Sequence, residues 1–259
     1  MELLVLGCDG SHPGPGGAGS GYLMVAGGTR ILFDCGPGVL GRLFAWLAVE
    51  SLDAVVISHE HPDHRSDLDS LGLASLYRRG GSRLRLFGPP GLDRLAYPPT
   101  RDAFAWQTVE DGDRVTVGEV DLAFSQTDHG PPTLAVRADW GAESFAYSAD
   151  TGPGWSFEAL GAGINLGLCE ATWTKETEGR GHLTGRQAGE MARAAGVERL
   201  LITHRAPGTD PNAVFREASD AFGAETLLAK DLSWYLLVDR GGGHEQAQRA
   251  EREDGGFAR

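Results

Sequence analysis

Short apolar runs of leucine, valine, isoleucine and phenylalanine recur along the chain, broken by glycine, proline and aspartate. Runs of this length, closed off by turn residues, predict strands. Residues 2–6 form the first candidate. Residues 22–25 and 30–33 predict a hairpin around Gly27-Gly28, because a glycine pair supplies the positive φ angles of a tight turn. Further strands are expected at 53–58 and 83–87, the latter stopped by Gly88-Pro89-Pro90-Gly91. Two more fall within 115–127 around Gly118-Glu119, and a second hairpin pairs 134–138 with 144–148 around Trp140-Gly141.

Helical spacing appears over 39–49 and again over 66–79, where Leu68, Leu71, Leu73 and Leu76 recur. A third helix is announced by Thr184 as N-cap and Gln187 three residues on, a capping box, and it ends at Gly196. Strands interrupted by helices give an α/β class, with sheets covered by helices. The pattern over 1–238 predicts one domain of two similar halves. Beyond it, 239–259 is polar and unpatterned and is expected to be a disordered tail.

The strand ends carry the chemistry. After the apolar run 54–58 comes His59-Glu60-His61-Pro62-Asp63-His64, a density of imidazole and carboxylate that suits a divalent metal and that a folding core avoids. His129, Asp150 and His204 likewise follow apolar runs. The segments Val55-Val56-Ile57-Ser58-His59 and Leu200-Leu201-Ile202-Thr203-His204 echo each other, each ending in a hydroxyl residue and a histidine. By contrast, the glycine-rich loop 7–17 lacks the Gly-Lys-Ser/Thr ending of a phosphate-binding loop. It reads as a mobile connection between strands, with His12 in solvent.

Composition narrows the partners. The 259 residues carry a formal net charge of −13, which argues against an extended basic surface for long nucleic acids. A small anionic substrate stays open, since bound cations reverse the local field. Cys8, Cys35 and Cys169 are odd in number and widely spaced, so buried free thiols in a reducing compartment are expected rather than disulfides. No apolar stretch approaches the roughly 20 residues of a membrane span, and no leader is evident at the start, so the expected location is cytoplasmic.

With these residues in view, the chain resembles the metallo-β-lactamase-fold hydrolases through His59, His61, Asp63 and His64, with His129, Asp150 and His204 in the later positions. The resemblance implies a four-layer αββα sandwich. It also implies two divalent metal ions, one held by His59, His61 and His129, the other by Asp63, His64 and His204, with Asp150 between them. Zinc is favoured, and manganese or iron would fit the same donors. Gly181-His182-Leu183-Thr184, Cys169-Glu170-Ala171-Thr172 and Tyr147-Ser148-Ala149-Asp150-Thr151-Gly152 resemble the ribonuclease Z branch, and Gly7-Cys8-Asp9-Gly10-Ser11 with Asp34-Cys35-Gly36 resemble its actinobacterial members, which include cyclic-nucleotide phosphodiesterases. The long basic tRNA-holding arm of ribonuclease Z is missing between His129 and Asp150.

The implied activity is hydrolysis of a small phosphodiester such as a 3′,5′-cyclic nucleotide by hydroxide held between the metals and oriented by Asp63, with loops 7–17 and 205–210 expected to shape the base pocket. His182 is expected to contact the phosphate or protonate the leaving oxygen, the alternative being a cap on the Thr184 helix, and Glu170 is expected to orient His182 or a ligand. Hydrolysis of a carboxylic ester, lactone, thioester or lactam is the second reading, tRNA 3′ cleavage or an inactive metal-binding scaffold the lesser ones. Relatives of this kind also leave homodimerisation open.

Overall fold

The computed structural model describes residues 1–177 and 179–237, so the tail expected at 239–259 lies outside the described residues. Fourteen strands and six α-helices alternate along these residues. The strands are β1 (Glu2–Gly7), β2 (Gly21–Ala26), β3 (Thr29–Phe33), β4 (Ala54–Val56), β5 (Leu84–Gly88), β6 (Phe104–Thr108), β7 (Arg114–Val117), β8 (Val120–Gln126), β9 (Leu134–Trp140), β10 (Glu143–Tyr147), β11 (Leu166–Glu170), β12 (Arg199–Thr203), β13 (Glu225–Leu228) and β14 (Ser233–Leu236). The helices are α1 (Val39–Leu43), α2 (Pro62–Arg65), α3 (Leu68–Arg78), α4 (Pro98–Arg101), α5 (Gly185–Ala194) and α6 (Pro211–Phe222).

Two seven-stranded sheets form, ordered β14-β1-β2-β3-β4-β5-β6 and β13-β12-β11-β10-β9-β8-β7. They share one pairing plan. From β14 to β3 the first sheet is antiparallel and from β3 to β6 parallel; the second is antiparallel from β7 to β10 and parallel from β10 to β13. The echo between 55–59 and 200–204 does not mark equivalent strands. Counted from the antiparallel edge, β4 is fifth in its sheet and β12 is sixth.

The unbroken apolar runs follow from burial on both faces. Leu3 and Val5 of β1 point into the layer between the sheets, together with Tyr22, Met24, Ile31, Phe33, Phe145 and Leu201. Leu4 and Leu6 of the same strand face the other way, against α1 and α3, with Val39, Leu43, Leu68 and Leu71. On the far side of the second sheet, Leu200 and Ile202 pack beneath α5 and α6 with Ala188, Met191, Val214 and Phe222. Three apolar layers between helix, sheet, sheet and helix make the expected αββα sandwich.

Most boundaries agree with the pattern to within a residue or two, but the helix expected over 39–49 does not run its length. It stops at Leu43, and Ala45 and Trp46 donate to Arg42 and Leu43, three residues back, so the chain tightens into a turn before a 3₁₀ segment at Val49–Ser51. The apolar spacing beyond Leu43 serves another contact, since Trp46 meets Trp234 of β14 edge-on at 5.8 Å. Among the described residues, no helix is long and apolar enough to cross a membrane. Cys8, Cys35 and Cys169 are free and buried as expected.

Candidate metal centre

Every strand that feeds the site does so from its C-terminal end. Ser58 and His59 follow β4, His129 follows β8, Asp150 follows β10, Glu170 closes β11 and His204 follows β12. Because β10, β11 and β12 are parallel and in register, with Tyr147 opposite Leu168 and Glu170 opposite Thr203, their termini emerge side by side. Pro62 shapes the remaining segment. It holds His61 extended (φ −61°, ψ 143°) and begins α2 at its first helical position, so the backbone switches from strand-like to helical in the middle of the cluster. His59 and His61 therefore gather with His129 and Asp150, whereas Asp63 and His64 gather with His204; in each group donor atoms lie within 4.8 Å of one another.

The hydrogen bonds decide which ring nitrogens face inward. His64 gives Nδ1 to Asp34 Oδ2 at 2.8 Å and His129 gives Nδ1–H to the Gly181 carbonyl at 2.8 Å. Ser58 donates to Asp34 and is left to accept from His59 Nδ1 at 3.0 Å. Thr172, donating to Glu170 at 2.8 Å, is likewise left to accept from His204 Nδ1 at 3.0 Å. The lone pairs then face one another across the centre. His64 Nε2 and His204 Nε2 stand 3.2 Å apart, His129 Nε2 and His61 Nδ1 3.3 Å apart, and Asp63 Oδ2 is 3.2 Å from His204 Nε2.

Acceptors facing acceptors repel unless a cation lies among them. His59 Nε2 and Asp150 Oδ1 are buried without any hydrogen-bond partner, an expensive arrangement for polar atoms that metal coordination would relieve. The titration behaviour agrees. Burial favours neutral His64, yet Asp150 and Asp34 on either side raise its proton affinity well above that of a free imidazole. Burial and the neighbouring His64 keep His59 neutral. Burial would protonate Asp63 and Asp150, but the histidines hold both carboxyls below their ordinary range. The carboxylates thus stay charged and His59 stays neutral, while His64 holds a proton that a bound divalent cation would displace.

All seven expected ligand positions come together. His182 joins Asp150 and His204 in a third group whose donor atoms lie within 4.8 Å of one another, but its Nδ1 meets Glu170 Oε1 at 2.9 Å and stands 3.9 Å from Asp150 Oδ2. Its ring stacks on His204 at 5.4 Å, and its side chain keeps 16% exposure where that of Glu170 has none. Burial lowers the proton affinity of His182, but the Glu170 carboxylate outweighs it, pushing the pKa up to about 9. The helix after it has no need of this imidazole, since Thr184 and Gln187 complete the capping box themselves. His12 is exposed, as expected.

The loop 7–17 is more than a connection. Ser11 N donates to Asp63 Oδ2 at 2.7 Å, Gly10 N to the Arg205 carbonyl, and Gly14 N to Asp9. Gly10 lies so close that a Cβ there would stand 2.7 Å from His204 Nδ1. This loop is a wall of the site, pinned at several points rather than mobile.

Asp34, Thr172 and Tyr147 are supporting residues that the apolar pattern does not mark. Asp34 accepts from Ser58 N, Ser58 Oγ, His64 Nδ1 and Tyr147 OH, all within 2.9 Å. Its legible traces are its position, a carboxylate directly after an apolar strand, and the Asp34-Cys35-Gly36 segment of the resemblance. The hydroxyl residues of the echo were a partial signal: Ser58 supports His59, but Thr203 bonds Tyr22 instead of His204.

Residues 29–205 match the β-lactamase superfamily domain. The chain belongs to the metallo-β-lactamase superfamily. Within it, the chain is 31% identical over 240 residues to the probable metallo-hydrolase YhfI of Bacillus subtilis, covering 89% of this chain and 97% of that protein. It is 30% identical over 278 residues to a ribonuclease Z of Mycobacterium sp. strain KMS, covering 90% of this chain and 94% of the relative. The crystal structure of YhfI superposes with a TM-score of 0.84 at 29% identity, covering 90% of this chain and 98% of the other. A diphosphatase of the PhnP family superposes with a TM-score of 0.74, covering 91% and 97%; at 18% identity it shows the shared fold alone. These relatives agree with a place in the ribonuclease Z-like branch of metallo-hydrolases.

Proposed function

We propose that this protein is a phosphodiesterase acting on small phosphodiesters, most plausibly 3′,5′-cyclic nucleotides, with two divalent cations that are zinc by preference. The observation that carries the metal reading is the convergence of inward-facing imidazole lone pairs on Asp150, with His59 Nε2 and Asp150 Oδ1 unpartnered in the interior. His59, His61 and His129 would hold one cation and Asp63, His64 and His204 the other, with Asp150 reaching both. Cations held there would neutralise phosphoryl oxygens and make water more acidic.

The chain's own residues supply the rest. Asp63, held by Ser11 N, presents a carboxylate able to orient a water. His182 keeps a proton near neutrality because Glu170 binds its Nδ1, which leaves Nε2 to donate to a leaving alkoxide. Glu170 is the positioning residue: it is fully buried, and it also takes Thr151 N and the Thr172 hydroxyl, so it cannot swing away from His182. A relative named ribonuclease Z supports phosphorus chemistry.

Small size is favoured by the net charge of −13 and by the hairpin β9–β10, which occupies the whole interval from His129 to Asp150 apart from short loops. Retention by long nucleic acids depends on many phosphate contacts. The test is turnover of the purified, metal-analysed protein against cyclic nucleotides, aryl phosphodiesters, carboxylic esters, lactams and precursor tRNA. About two transition-metal ions per chain and cyclic-nucleotide hydrolysis are expected. Ester or lactam turnover alone would replace the substrate, and full activity after metal stripping would end the metal reading. His182→Ala should retain its metal while losing about 10²–10⁴-fold in kcat on alkyl leaving groups, and much less on activated aryl ones.

A further inference from the structure

Two tyrosines lie beneath the centre, in the layer between the sheets, and each reaches across to the opposite sheet. Tyr22 comes from β2 of the first sheet, and its hydroxyl meets Thr203 Oγ1 at the end of β12 in the second, 2.7 Å away. Tyr147 closes β10 of the second sheet, and its hydroxyl donates to Asp34 Oδ2 beyond β3 of the first at 2.9 Å. The rings pack against each other at 5.1 Å with an interplanar angle of 59°, and both residues are at most 1% exposed.

Both crossings end on backbone that carries strain. Asp34 has φ +58° and His204, the residue after Thr203, has φ +53°, in the left-handed region that costs a non-glycine residue free energy. Such conformations persist where neighbours over-determine them. Asp34 in turn grips His64 Nδ1 directly and reaches His59 of the other group only through Ser58, and Thr203 delivers His204, so both hydroxyls act first on the Asp63/His64/His204 donors. The two histidines come from different sheets, and their Nε2 atoms stand 3.2 Å apart.

We propose that Tyr22 and Tyr147 form a reciprocal cross-sheet brace that fixes the spacing between His64 and His204, and thereby the affinity of the Asp63/His64/His204 cation site in particular. The brace rests on the metal reading given above. A phenylalanine in either place would fill the same volume and keep the ring contact while removing the hydroxyl. Asp34 Oδ2 would then keep Ser58 and His64 without its third donor, and the Thr203 hydroxyl would lose its phenol partner. Partners behind a ligand typically set metal affinity by 10–100-fold.

The experiment is chelator competition on zinc-loaded and cobalt-loaded full-length protein, with release followed by a colorimetric indicator and by the cobalt absorption spectrum. His204→Ala and His129→Ala identify which ion belongs to which group. Tyr147→Phe and Tyr22→Phe should each weaken the Asp63/His64/His204 ion by about 10-fold and leave the other at its wild-type affinity. Ile31→Val, a change of packing in the same inter-sheet layer, should lower thermal stability without altering release of either ion. Should Tyr22→Phe fold poorly, Thr203→Val removes the same hydrogen bond from the other side. Wild-type retention of both ions in the phenylalanine variants, or equal loss of both, overturns the brace. A wild-type protein that takes up no stoichiometric metal overturns the reading beneath it instead.

Discussion

Replacing Asp34 with asparagine tests the support of the centre without touching a ligand. Oδ1 of the asparagine would still accept from Ser58 N, but an NH₂ group would replace Oδ2, where Ser58 Oγ (2.9 Å), Tyr147 OH (2.9 Å) and His64 Nδ1 (2.8 Å) now converge. The two hydroxyls can rotate and accept. His64 can accommodate the amide only by presenting a lone pair at Nδ1, which moves its proton to Nε2, the nitrogen that faces the centre. Hydrogen bonds to a charged group contribute about 1.5–3 kcal/mol each, and partial replacement leaves an expected loss of about 2–5 kcal/mol. Against a typical total of about 5–15 kcal/mol this is a large fraction. At about 2–4 °C per kcal/mol for a chain of this size, melting should fall by on the order of 10 °C. Metal affinity should fall about 10–100-fold as well. The assay is thermal unfolding of metal-stripped and metal-loaded protein beside elemental analysis: the stripped variant should melt well below stripped wild type, and loading should recover less stability than in wild type. If Asp34→Asn matches wild type in both states, the carboxylate is not the hub described.

Glu170→Gln removes the charge that raises His182. The imidazolium is populated below about 9 and lost above it, so the basic limb of the pH–rate profile should move to lower pH; an unmoved limb would exclude His182 as the titrating acid. Leu232 sits at φ +59° with 47% exposure, so Leu232→Asn should relieve strain at little loss of burial and stabilise by about 1 kcal/mol, or roughly 2–4 °C in Tm. A lower melting point would refute that sign. Burial, with Asp231 beside it, pushes the Cys8 thiol up to about 12, and burial raises Cys35 and Cys169 as well. A thiol reagent at pH 8 should therefore leave the native protein unmodified and label all three cysteines in denaturant, and rapid native labelling would contradict the buried geometry.

The linear chain determined its elements and its donors. Apolar runs closed by glycine and proline gave β2, β3, β5 and the β9–β10 hairpin, because strand and turn preferences act over a few residues. The capping box at Thr184 fixed the start of α5 for the same local reason. The histidines and aspartates of the candidate site were legible because such donors are rarely clustered after apolar runs without a task. Tertiary structure decided everything that depends on what lies across a sheet or between sheets. Whether the spacing over 39–49 continues as a helix was settled by Trp46 finding Trp234, far along the chain. Loop 7–17 was expected beside the substrate, but its hold on the ligands themselves depended on Ser11 meeting Asp63 and Gly10 meeting His204. Asp34 and Tyr147 lie in segments that the resemblance covers, but their partners are settled only when the two sheets stack and place one hydroxyl on one carboxylate. A hydrophobic pattern encodes which face of a strand is buried, but not which polar atom of a distant strand it will meet there.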